Sequence, residues 1–192
     1  MKLSTVIGQA ALDSLNQRGY LANDDPDRID HPTFKSAYEW MMSQMTLRLG
    51  EPPAGVALPM WAWYQWDLGR KKPPMSRGRA PRGEVVYRID FEVPSDQVLL
   101  SDHRDWHVVL NGGYMAVSEE EYDEYEVALH STRDAGRLNE LRQRQIKSWE
   151  RIFAMERFEY GVRLIVKSIQ ACVWKIDSAS VTRIRKYVSK GM

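Results

Sequence analysis

The chain has 192 residues, of which 28% are charged, and its net charge is +1. That balance excludes a global electrostatic argument for nucleic-acid or membrane binding, and no apolar run approaches membrane-spanning length. A single cysteine, Cys172, excludes an internal disulfide framework and a multi-cysteine zinc site.

In chain order, Leu3 to Ile7 reads as a short strand. A helix follows from about Gln9 to Arg18, with Ala11, Leu12 and Leu15 on one face, and Gly19 stands where a left-handed cap belongs. Asn23 to Asp27 is a polar turn. Thr33 caps a second predicted helix, about Phe34 to Leu49, in which Phe34, Ala37, Tyr38, Met41, Met45 and Leu49 recur at helical spacing. Residues 59–66 alternate as a strand would, placing Trp61 and Trp63 on one face. The stretch from 69 to 83 carries six basic residues and no acidic one, and it reads as an exposed basic loop.

Glu84 to Val93 is the clearest strand. Val85, Tyr87, Ile89, Phe91 and Val93 point one way, and Glu84, Arg88, Asp90 and Glu92 the other. Gln97–Leu100 and Trp106–Leu110 read as two short strands around a bend at Ser101–Asp105. Asn111-Gly112-Gly113 is a tight turn. Ser118 with Glu121 forms a capping box that opens an acidic helix. A further helix runs from about Arg137 to Phe153, and Gly161 breaks the pattern. Ile169–Ile176 reads as a strand, and Ser178 caps a terminal helix bearing Val181, Ile184 and Tyr187. This order predicts an α+β fold: one domain over 1–192, with a small mixed or antiparallel sheet and flanking helices.

Seven tryptophans, most of them beside polar residues, point to a pocket for a flat polar ligand. An indole supplies a broad apolar face and one N–H donor. Trp61, Trp63 and Trp66 form a stacking platform or fill a core. Asp102, His103, Asp105 and His107 carry metal-ligand chemistry. A spacing of four sets two ligands on one face only in a helix, however, and this segment reads as strand–turn–strand, so no metal is expected. Ser101, Asp102 and His107 then line a pocket beside Trp106. Gln170, at the start of an apolar strand, is placed to hold a ribose hydroxyl or an amide. Cys172 reads as a buried, inert thiol. Glu150 and Arg151, within Ser148-Trp149-Glu150-Arg151, are either surface charges or groups that orient a pocket. Arg70, Lys71, Lys72, Arg77 and Arg79 are the candidate contacts to an acidic macromolecular partner, a protein or a nucleic acid.

Several separate blocks carry a family resemblance. They are Ser4-Thr5-Val6-Ile7 with Gly19, Ala37 to Met41, Pro59 to Tyr64, Leu100-Ser101-Asp102 with Trp106-His107, Ser148 to Phe153, and Gln170-Ala171 with Trp174. In this order they resemble the bacterial family known as domain of unknown function 3841. The resemblance implies a bacterial or phage single-domain protein and supplies no activity. At fold level the two ends of the chain are similar to toxin-type ADP-ribosyltransferases. Those open on a strand with a nucleotide-contacting residue, here Thr5 in place of Arg or His. They close on a strand that begins with a catalytic Glu, here Gln170. This second resemblance implies NAD as a cofactor, with Gln170 in the catalytic place. Thr5 would lie on ribose, and Trp61, Trp63, Asp102, Trp106 and His107 around the nucleotide.

Three functions stay open. One is an ADP-ribosyltransferase-like nucleotide-binding protein of a defence or toxin system. Another is a non-catalytic binding protein such as an antitoxin or phage inhibitor. The third is a metal-dependent hydrolase using Asp102, His103 and His107. The N-terminal residues lack the long apolar region of a signal peptide, so a cytoplasmic protein is expected.

Overall fold

The computed structural model describes residues 1–29, 31–68 and 80–191. It is α+β, as the order of predicted elements implies. A six-stranded antiparallel sheet is built from β1 (Lys2–Gly8), β3 (Met60–Gln65), β4 (Val85–Glu92), β5 (Leu99–Asp102), β8 (Ile169–Val173) and β10 (Val181–Val188), in the spatial order β10-β4-β1-β3-β8-β5. Two small sheets accompany it, β2 (Tyr20–Leu21) with β9 (Ile176–Asp177) and the hairpin of β6 (Glu156–Glu159) with β7 (Val162–Ile165). The helices are α1 (Gln9–Arg18), α2 (Pro32–Leu49), α3 (His103–Leu110), α4 (Glu119–Ser131) and α5 (Ala135–Ser148). Among the described residues no helix is long and apolar enough to cross a membrane.

The sheet separates two apolar layers, because strand side chains alternate between faces. On one face Leu3, Ile7, Met60, Ala62, Ile89, Phe91, Ala171 and Val173 pack with Leu12 and Leu15 of α1. Gly19 closes α1 with φ +75°, its N–H donating to Leu15 O at 3.0 Å, so its lack of a Cβ is used. On the other face Leu99, Cys172 and Trp61 meet Ala37, Met41 and Met45 of α2, Trp106 and Val109 of α3, and Trp149 and Ile152. Trp149 is 1% exposed, and its Nε1 donates to Gly113 O at 2.8 Å. That bond satisfies the single polar atom of a large buried ring.

Several sequence expectations change. Trp106–Leu110 is helical rather than extended. Asp102 caps α3 by accepting the N–H of Arg104 at 2.9 Å, and Trp106 and Val109, three apart, turn into the core. Residues after Ser180 form β10 rather than a helix. Val181, Ile184 and Tyr187 match helical spacing, but antiparallel pairing with β4 prevails, with Ile184 opposite Ile89, and their β-branched and aromatic types suit a strand. The predicted Arg137–Phe153 helix starts at Ala135, under an Asp134 cap, and becomes a 3-10 turn over Trp149–Phe153. Half of the predicted capping box is present: Glu121 N–H donates to Ser118 Oγ at 3.2 Å, while the Glu121 carboxylate accepts from Val117 N–H, one residue before the cap. Helix α2 begins at Pro32, ahead of Thr33, with no side-chain cap.

Candidate functional site

Strand register assembles the site. On the α2–α3 face one transverse row runs Asp90, Ser4, Trp63, Gln170, Ser101 across β4, β1, β3, β8 and β5. Helix α3 leaves the sheet directly after β5, so its first turn stands over the Trp63–Gln170 end of this row. The result is a cleft of about 300 Å³ lined by Trp61, Trp63, Trp66, Trp106, Tyr38, His103, His107, Leu110 and Gln170. The sequence candidates Gln170, Trp61, Trp63, Trp106 and His107 therefore do meet.

The rings form two packed groups. Trp61 lies 4.8 Å from Trp106 between centroids, with Tyr38 edge-on to both. Trp63 meets Trp66 at 4.8 Å and His103 at 4.7 Å, both edge-on. Trp63 and Trp106 are buried and act as walls, whereas Trp61 and Trp66 are half-buried and have surface to offer a ligand. Burial, helped by the nearby Cys172 thiol, raises the Tyr38 phenol above its ordinary value, so it stays a neutral donor.

His103 and His107 sit one turn apart on α3, with ring centroids 4.8 Å apart. The strand–turn–strand premise that argued against chelation is thus corrected: the two imidazoles do share a helix face. Among the described residues, no group of three or more His, Cys, Asp or Glu side chains converges as a metal site requires. His107 Nδ1 lies 2.9 Å from His103 O. A carbonyl only accepts, so Nδ1 is the donor of this bond. Gln170 is half-buried, and its Oε1 is buried with no hydrogen-bond partner among the described residues. Ser101 Oγ, across the strand pair, is in the same condition.

Two expected members are elsewhere. Thr5 pairs with Ile89 and shares the parity of Leu3 and Ile7, so its side chain lies on the α1 face. Its hydroxyl donates to Trp61 O at 2.9 Å, which makes it a structural residue, and Ser4 takes its place in the row. Asp102 pairs with Ile169 and lies one residue out of phase with Gln170. Its carboxylate caps α3 and binds Arg157 Nη2 at 3.2 Å.

That pair belongs to a neighbouring cleft of about 820 Å³, between α3 and the β6–β7 hairpin, with His103 on the border of both clefts. Arg157 there binds Asp102, Asp105 and Glu159 and donates to Ala154 O at 3.0 Å. Burial, and then the Asp102 charge, push the Asp105 carboxyl up to about 6. The sequence contained this cluster, but only the hairpin brings Arg157 to it, and no periodicity marked the hairpin.

Arg70, Lys71, Lys72, Arg77 and Arg79, the basic-loop candidates, lie outside the described residues. Cys172 is fully buried, and burial pushes its thiol well up, which leaves it unreactive.

No curated protein and no solved structure matches the chain, so the expected likeness to ADP-ribosyltransferases gains no support there. A family model does match, across nearly the whole length. Its span, residues 5–182, takes in every wall of the aromatic cleft from Tyr38 to Gln170, and the chain belongs to the family described as domain of unknown function 3841.

Proposed function

We propose that the aromatic cleft binds the flat heterocycle of a nucleotide, with the nicotinamide end of NAD as the first candidate. The observation that carries this reading is Gln170. Its amide sits in a cleft of indoles and imidazoles, and its Oε1 lacks a partner among the described residues. An unpaired amide oxygen costs about 1–3 kcal/mol. Rotation about the last side-chain torsion turns either end of the amide toward the cleft, where a ligand carboxamide or ribose hydroxyl satisfies it. Trp61 and Trp66 supply stacking faces. The volume of about 300 Å³ suits one ring, so the rest of a dinucleotide would run outward.

The donor set fits binding better than turnover. Ribosyl transfer uses a carboxylate to steady an oxocarbenium-like transition state, and an amide at Gln170 supplies none. The ionisable side chains that line the cleft are Tyr38 and the imidazoles of His103 and His107. A metal-hydrolase reading loses its third ligand, because Asp102 is committed to Arg157.

Calorimetric titration with NAD is the test. Saturable binding is expected, weakened about tenfold by Gln170→Ala through the loss of a hydrogen bond. Gln170→Glu introduces a carboxylate, and release of free nicotinamide then reads turnover separately from affinity. The absence of heat and of a thermal shift at millimolar NAD would overturn the nucleotide reading.

A specific observation favours the partner-binding alternative as a second reading. The β6–β7 hairpin exposes Phe158 at 71% and Val162 at 64%. Apolar side chains this open on a two-stranded hairpin fit a surface that a macromolecule covers.

A further inference from the structure

We infer that a second, cationic pocket on α5 is a binding site for a phosphate group. Arg144, Lys147 and Arg151 recur at i, i+3 and i+7 and fall on one face of α5 and of the turn that continues it. With Tyr114, Glu121 and Glu150 they border a pocket of about 450 Å³. Nothing in the aromatic-cleft reading uses these residues.

The charges in the pocket do not cancel. Three cations face two carboxylates, and Glu121 is already occupied. It accepts from the Tyr114 hydroxyl and from Val117 N–H at 2.7 Å, and it pairs with Arg151 Nη2 at 3.3 Å. Arg144 Nη2 stays 3.8 Å from the same carboxylate, while its Nε donates to Tyr114 Oη at 3.0 Å. That leaves several donors unused. The Lys147 ammonium makes no ion pair or hydrogen bond among the described residues, and neither terminal nitrogen of Arg144 makes a hydrogen bond there. Arg151 Nη1 is buried without an acceptor among the described residues, although its side chain as a whole is 29% exposed.

A buried guanidinium N–H without an acceptor is costly, and an anionic oxygen is the partner that relieves it most. Two guanidinium groups and one ammonium around a single pocket match a tetrahedral dianion. Arginine engages two oxygens at once, and lysine contributes a mobile point charge. The ligand chemistry is therefore a phosphate group, either free or on a small ester.

The test is calorimetric titration of the full chain with inorganic phosphate and, separately, with glycerol 3-phosphate, against chloride at equal ionic strength. Saturable binding is expected for at least one of them. Lys147→Ala and Arg144→Gln, both at exposed positions, should each weaken it about tenfold by removing a charge-assisted contact. Arg151→Gln should weaken it further, with circular dichroism confirming that the fold persists. Tighter binding of the ester identifies a phosphorylated small molecule, and tighter binding of inorganic phosphate identifies the free ion. Heats that match chloride, or saturable binding unchanged in both exposed variants, would overturn the assignment.

Discussion

Replacing Asp105 by Asn should make this protein more stable at neutral pH, although Asp105 is ion-paired. Three carboxylates surround the one guanidinium of Arg157, whose side chain is 9% exposed. Burial and the Asp102 charge outweigh the attraction of Arg157 and raise the Asp105 carboxyl from 3.8 to about 6. A folded-state value above the unfolded one means that the native protein holds a proton the unfolded chain has released. The stability that this proton provides is complete below about pH 4, is lost as pH rises through about 6, and stays lost above that. At about 1.4 kcal/mol per unit the loss is roughly 3 kcal/mol. Asn is neutral throughout and keeps a carbonyl oxygen for Arg157. Asp105→Asn should therefore equal the parent near pH 4 and exceed it by up to about 3 kcal/mol at pH 8. For a chain of this size that is roughly 6–12 °C in melting temperature. Urea unfolding of both proteins from pH 4 to 8, followed by circular dichroism, measures the difference. A variant less stable than the parent at pH 8, or a gap between the two that does not change with pH, would refute the reasoning.

Two further outcomes follow from packing. A Cβ added at Gly113 would lie 2.7 Å from Val108 Cγ1 and 3.3 Å from Val108 O, so Gly113→Ala should cost about 1–3 kcal/mol in urea unfolding; an unchanged midpoint would show that the turn gives way freely. Cys172 is fully buried with its thiol pushed well up, so a thiol-specific disulfide reagent should label it only on unfolding, and prompt labelling of the native protein would contradict the packing.

Much of the fold was legible where local and tertiary preferences agree. The alternation of β4, the Gly19 cap and the Ser118 cap each act within a few residues. The alternation of β4 also hid something. Arg88, on the polar side of that alternation, is buried and Asp90 is half-buried, with an ion pair between them at 2.9 Å. The helix at Trp106 was missed because Asp102 was read as part of a bend rather than as a cap. β10 was missed because its apolar spacing fits a helix until β4 is there to pair with it. For the cleft, the aromatic and polar blocks identified most walls, but Thr5 was chosen over Ser4. Parity with Leu3 and Ile7 already placed Thr5 on the apolar side. Tyr38 gave no signal, since its helical spacing marks it equally as core.

In the six-stranded sheet no two neighbouring strands are consecutive in the chain. Ser4 has to find Trp63, Trp61 has to find Cys172, and Val86 has to find Tyr187. The closure entropy of each loop is spent before any ladder returns energy. Among the described residues only β6–β7 is a local hairpin, and it lies outside the main sheet. Refolding should therefore be slow for a chain of this length, on the scale of β-rich folds rather than of helical bundles. Helices α4 and α5, joined by a short connection, can collapse together first. During that interval the apolar strands have no partners, and protein concentration will decide between folding and association.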